Sequence, residues 1–340
     1  MVLGARLAIA DVWANRLGDD DSARETVEKL LEEHPRHGPT LLALSALYEK
    51  GGRLREAADL LEKAAAAAGT AHERAEVHFR RSRVLEAEGG SPADVEASLR
   101  AALEAEPAHA ESLRASEARA RKAGDNALLV SLLETRALAA RPADRKTLLT
   151  EIAALYRGPV FAPERAVAAL TELAAASPSD VQVQEDLASA LQAAGRGDEA
   201  EVLLSGLADK LAKAKQNKAL ARVQRGLGAI AEAKDNLAGA LARFEAAYQL
   251  DPTQPAVVAS LGRLALRQKD SEKARRYFRA LLLQTFDEKA AGITKAEVYL
   301  ALGRLHLEAN EAPKARNLFE RGLESDPKNA ALKEALAALR

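Results

Sequence analysis

Two segments of this 340-residue sequence have residue types that could carry chemistry, and neither has the surroundings that chemistry demands. Gly226-Leu227-Gly228-Ala229-Ile230-Ala231 matches the G-x-G-x-x-A pattern that cradles a dinucleotide pyrophosphate. The pattern works when a strand precedes it and a helix opens at the glycines, leaving free backbone N–H groups to face the phosphates. Here it lies inside Leu220–Lys234, which reads as continuous helix. His72-Glu73 with His78 imitates a zinc motif, but the histidines are six residues apart rather than four and fall on different helix faces. His78 and His306 are expected as packing or surface residues. Neither G-x-S-x-G nor G-x-x-x-x-G-K-[ST] occurs, and carboxylates such as Glu28, Glu32 and Glu33 belong to helix faces. The sequence therefore predicts no catalytic residue, no cofactor and no metal site. What remains is arginine, whose planar fork suits carboxylates and phosphates and stacks on aromatics.

The elements that would position such side chains are helices. Apolar residues make up 48% of the chain and aromatics 4%, with alanine and leucine dominant. Small and unbranched apolar residues favour helix, and runs of Val, Ile and Thr are scarce. Formal net charge is -1, from 49 Lys+Arg against 50 Asp+Glu, which leaves no overall field to gather nucleic acid or anionic membrane. Cysteine is absent, excluding disulfides and thiolate metal sites. Arg6, Asp11 and Arg16 interrupt the apolar start, so no secretory signal is read there. No run approaches the ~18 apolar residues that span a bilayer. The expected setting is the cytoplasm, and the Ala-, Leu- and Arg-rich composition points to a bacterium with a GC-rich genome.

The helices recur in a repeat. Leu261-Gly262 is followed by Ala274 and Phe278. Leu302-Gly303 leads to Ala315, Phe319 and Pro327, and Leu227-Gly228 leads to Ala240, Phe244, Ala247 and Pro252. The glycines are expected where two helices cross, the alanines opposite them, and the phenylalanines one turn further on, filling the gap to the next unit. Proline stops the second helix. Weaker copies carry Ala23 and Pro35; Tyr48, Gly52, Ala57, Leu61 and Ala64; Leu85, Gly89, Leu99, Ala102 and Pro107; Leu113, Gly124, Leu133 and Pro142; Ile152, Tyr156, Ala166, Leu170 and Pro178; and Leu187, Gly195, Ala200 and Leu204. Nine units begin near residues 4, 38, 75, 110, 146, 181, 221, 255 and 296. A last helix at 330–339 carries Lys333, Glu334 and Arg340 to solvate an end. Successive spacings run from 34 to 41, the excess lying around 208–220 and 284–295. Nineteen helices and no sheet are predicted, stacked as one array over residues 1–340.

This pattern resembles the tetratricopeptide repeat, a helix–turn–helix of about 34 residues. The resemblance implies an all-α, right-handed solenoid with first helices on the concave side, and a scaffold or adaptor that grips another protein there. Family ligands are held by first-helix residues at offsets near four and eight. Carried over, these give Ala8, Val12, Leu42 and Ala46 in units one and two. Units three and four present Phe79, Arg83 and Arg114, with Arg80, Arg121 and Lys122 close by. Thr150, Glu185 and Ser189, with Glu151 and Asp186 adjoining, follow in units five and six. Units seven to nine bring Arg225, Arg263 and Arg304, beside Arg222 and Arg267. The Lys/Asn clamp of chaperone-binding members is absent. An arginine ladder remains, suited to an acidic or mixed protein segment, in a bacterial polarity, motility or secretion assembly. The competing interpretations are solvated arginines paired with nearby Glu, or a regulatory module whose groove takes a small anionic ligand or nucleic acid. Scarce aromatics disfavour nucleic acid.

The first unit is expected to contact something further. Val2, Leu3, Leu7, Ile9, Val12, Trp13 and Leu17 make its opening helix apolar on more than one side, and Trp13 is the only tryptophan. An upstream repeat, a partner or a second copy would cover it.

Overall fold

Alanine- and leucine-rich segments closed by Gly, Pro or a polar cap become antiparallel helix pairs. The computed structural model describes residues 2–339, without the side chain of Val2; Met1 and Arg340 lie outside the described residues. Two compact units result, Met1–Phe161 and Ala162–Arg340. No strand occurs among the described residues.

In the first unit the first helices are α1 (Val2–Val12), α3 (Gly38–Lys50), α5 (Ala71–Glu88), α7 (Ala110–Ala123) and α9 (Pro142–Arg157). A π-helical turn, Trp13–Leu17, extends α1. The second helices are α2 (Asp20–Glu33), α4 (Leu54–Ala67), α6 (Pro92–Ala105) and α8 (Asn126–Ala139). In the second unit α10 (Pro163–Ala176) opens, followed by pairs α11 (Val181–Ala193) and α12 (Gly197–Lys213), α13 (Asn217–Ala233) and α14 (Leu237–Leu250), and α15 (Pro255–Arg267) and α16 (Ser271–Leu282). Then come α17 (Glu288–Ala291), α18 (Lys295–Glu308), α19 (Ala312–Ser325) and α20 (Ala330–Ala337). The expected nineteen helices become twenty α-helices among the described residues because the excess at 284–295 folds into the short α17. The excess at 208–220 goes into α12 and α13, each 17 residues long.

One register position organises the packing. Gly228, Gly262 and Gly303 each face a phenylalanine of their own repeat, Phe244, Phe278 and Phe319. The rings thus fill space vacated by glycine within the repeat as well as packing toward the next one, where Phe244 joins Val257, Val258 and Leu261. In the earlier repeats the register puts buried Ser45, Ser82, Ala153 and Ala188 where the glycines stand. Leu61, Leu99, Leu170 and Leu204 hold the ring positions and are buried as well. A larger residue on one helix is matched by a smaller one on its partner, conserving volume.

The fourth repeat departs from this rule and is correspondingly hard to recognise. Its small position holds Glu117, whose side chain is 2% exposed and lies 2.7 Å from Arg136 of α8. Burial still pushes this carboxyl above the usual carboxylate range, against the pull of Arg136 and Arg121.

The glycines of the weaker copies serve the turn instead of the crossing. Gly52, Gly89, Gly124 and Gly195 all have φ between 72° and 78°, which glycine adopts without a Cβ penalty. At the chain end, Leu332 of α20 is fully buried against Gly322, so α20 covers the last hairpin.

Candidate binding groove

In the second unit, α11, α13 and α15 turn one face of each helix into a groove of about 420 Å³. α13 contributes Arg222, Arg225 and Glu232; α15 contributes Ser260 and Arg263; α11 contributes Glu185 and Ser189. The short α17 forms a further wall with Lys289 and Gly292. The groove thus holds four cations against two carboxylates.

Their partners divide the cations into two kinds. Arg222 donates from Nε to both oxygens of Glu185 at 3.1 Å, bridging α13 to α11. Arg267, at the end of α15, pairs with Asp235 at 2.8 Å and reaches Glu232 at 4.0 Å. The first unit repeats this stitching, with Arg80 2.9 Å from Glu49 and Arg121 2.8 Å from Glu151. Arg263 instead donates to the Gly292 carbonyl at 3.0 Å and the Ser260 hydroxyl at 3.1 Å, with no carboxylate partner among the described residues. Arg225 and Lys289 are exposed in the groove and form no ion pair among the described residues.

The remaining expected residues are dispersed. Arg304 is exposed on α18 and does not line this groove. Arg83 lines a separate groove of about 520 Å³ in the first unit, with Phe79, Arg80, Glu49 and Glu76. Arg114 is exposed on α7, 3.9 Å from Glu111. Lys122 is exposed, and the Thr150 hydroxyl is engaged by the Lys146 carbonyl. Ala8 and Ala46 are exposed, while Leu42 packs against the first unit's core. Trp13 is half-buried, and its carbonyl accepts the Asp19 N–H at 2.9 Å. Around it Leu7 and Ala10 join the core, but Ile9, Val12 and Leu17 stay 52%, 39% and 62% exposed.

Gly226 and Gly228 sit inside α13, with β-carbon positions facing Leu204 and Phe244, so they shape packing rather than a phosphate cradle. His78 and His72 part as expected. Burial pushes the His78 pKa down, and its Nδ1 is buried without a hydrogen-bond partner. His306 is buried between Glu311 and Arg279. Lys289 escaped the sequence reading because it lies in the insertion, where the repeat supplies no offset; the long spacing before residue 296 was the available signal.

No helix among the described residues is long and apolar enough to cross a membrane. Residues 231–296 match the family model described as Tetratricopeptide repeat. A comparison with curated proteins finds no match. Similar solved structures include Pseudomonas aeruginosa PilF, at 18% identity and TM-score 0.43, covering 79% of this chain and 99% of that one. A tetratricopeptide repeat protein from Parabacteroides merdae has 16% identity and TM-score 0.43, covering 78% and 98%. The human IFIT1 dimer with m7Gppp-AAAA has 17% identity and TM-score 0.44, covering 99% and 80%. The family match spans α14 to α17, where glycine–phenylalanine packing sets the register that the other hairpins follow in weaker form. Residues 231–296 of this chain thus carry a tetratricopeptide repeat segment within an all-helical repeat fold.

Proposed function

We propose that the chain is a non-catalytic scaffold that holds an acidic segment of another protein in the groove of its second unit. One observation carries the proposal. Arg225, Arg263 and Lys289 converge on a single groove without a carboxylate partner among the described residues, although the neighbouring arginines are matched to acids. Glu185 is taken by Arg222 and Glu232 lies within reach of Arg267, so the unspent charge of the groove is positive. Guanidinium groups in such a place bind carboxylates in paired hydrogen bonds. Phe244 is the one aromatic in the lining, which provides no platform for successive bases. The setting proposed with this is a bacterial polarity, motility or secretion assembly in the cytoplasm, drawn from the family resemblance and the Ala-, Leu- and Arg-rich composition. The two units are proposed to belong to one continuous array.

Affinity capture from the source cell, with the chain bearing Arg225→Glu, Arg263→Glu and Lys289→Glu as the control bait, tests the reading. A partner with an acidic segment should be retained by the native chain and lost from the reversed one. Equal retention by both would sink the proposal. A bound nucleic acid, or a salt dependence as steep as that of phosphate contacts, would favour the alternative of an anion-binding module.

A further inference from the structure

A second chemical cluster lies in the first unit, where the third and fourth repeats meet. His72 and Glu76 stand one turn apart on α5, Glu106 caps the end of α6, His109 precedes α7, and Glu111 lies in the first turn of α7. His72 meets His109, with ring centroids 6.0 Å apart. Its Nδ1 is 2.8 Å from Glu106 Oε2. His109 Nε2 lies 3.2 Å from Glu76 Oε1 and 3.8 Å from Glu111 Oε2. The ligand atoms of His72, Glu106 and His109 all fall within 4.8 Å of one another, and so do those of Glu76, His109 and Glu111.

We propose that His72, Glu106 and His109, with Glu76 and Glu111 as further carboxylates grouped on His109, form a binding site for a divalent cation of the zinc, cobalt and nickel class. Donor atoms held about 2.0–2.2 Å from such an ion stand about 3.0 Å apart at right angles and about 3.4 Å apart at the tetrahedral angle. The observed separations bracket those edges. Two imidazoles with carboxylates select this class over magnesium and calcium, which take oxygen donors almost alone.

Two further observations separate the cluster from ordinary surface charge. In a chain with 49 Lys+Arg, Glu76 and Glu106 have no lysine or arginine partner among the described residues, and histidine alone faces them. His37 supplies an internal control. It sits before α3 as His109 sits before α7, with Nδ1 2.7 Å from Thr40 Oγ1, matching His109 Nδ1 at 2.8 Å from Ser112 Oγ. The turn therefore explains Nδ1 in both, but no metal-compatible cluster surrounds His37 among the described residues. The Nε2 side of His109 is particular to this place. With an ion on Nε2, the ring proton moves to Nδ1 and donates to Ser112 Oγ, which orients the ligand; the 3.3 Å bond from the Ser112 N–H to Nδ1 is given up. The ion would tie α5 to the α6–α7 turn.

The untagged full chain, stripped with a chelator, is titrated with cobalt(II) and zinc(II) by calorimetry and visible absorption. One equivalent should bind and raise the melting temperature by several degrees at saturating metal, while magnesium at the same concentration should not. His72→Ala and Glu106→Gln, both on accessible side chains, should each weaken cobalt binding at least tenfold, and His34→Ala should not. Native-like circular dichroism of the variants excludes misfolding as the cause. Absence of cobalt binding below millimolar concentration, or unchanged binding in both variants, would overturn the site.

Discussion

The ring of Phe278 lies directly over Gly262, so that a β-carbon on Gly262 would sit 2.6 Å from Phe278 Cε1. No real side-chain carbon approaches that closely, and a core at crystal-like density has no slack to absorb it. Gly262→Ala should cost about 1–3 kcal/mol in urea melts by overpacking, and Gly262→Leu more. The equivalent approach at Gly228 is 3.0 Å, so Gly228→Ala should cost less. Combining Gly262→Ala with Phe278→Leu should recover part of the loss, copying the small-with-medium pairing of the earlier repeats, with a coupling of about 0.5–3 kcal/mol. Additive costs would refute the pairing.

Lys269 occupies the turn between α15 and α16 at φ 59°, where the weaker repeats place glycine. Left-handed backbone strains a residue with a β-carbon. Lys269→Gly should therefore stabilise the chain by about 0.5–1 kcal/mol, and Gly89→Ala, at φ 78°, should destabilise it by a similar amount. Thermal melts of the two variants moving in the same direction would contradict this.

Arg222 and Arg225 should separate stability from binding. Arg222 is matched to Glu185, so Arg222→Ala should lower stability by about 0.2–1 kcal/mol. Arg225→Ala should leave the melting temperature unchanged and weaken the partner. A reversed pattern in melts and binding assays would assign the roles the other way.

Lys314 and His306 hold Glu311 at about 2, below its ordinary 4.5. A depressed carboxylate contributes stability in full above its unfolded value, and that contribution is lost as pH falls through the folded one. The melting-temperature gap between native chain and Glu311→Gln should be widest at neutral pH, shrink below pH 4.5 and close near pH 2. A gap independent of pH would show that the carboxylate charge is not what acts.

For the N-terminal face, self-association through Ile9, Val12 and Leu17 is the proposed contact. Sedimentation velocity should show dimers that dissociate on dilution and are absent in Leu17→Asp, with Trp13 emission shifting to the red as they part. A monomer at every concentration, with unchanged emission, would refute it.

Sequence alone determined most of the helices and their register, because the crossing position demands a small residue and the facing position a large one. That demand recurs every 34 to 41 residues in the chain. It read clearly where Gly and Phe met the demand and poorly at Glu117, where a buried carboxylate paired with the half-buried Arg136 replaced it. Equivalent offsets in successive repeats gave one expected wall of Arg225, Arg263 and Arg304, of which Arg225 and Arg263 line the groove and Arg304 does not. Only tertiary structure decided which arginines are free. Glu185 precedes Arg222 by 37 residues, and no local pattern announces that the two share a bidentate contact. The same holds for α17, whose Lys289 enters the groove from an insertion without a register, and for His72 and His109, joined by the stacking of two hairpins. Helix periodicity is a local property of the chain, whereas ion pairing and ligand convergence depend on distances between segments that the chain brings together only on packing.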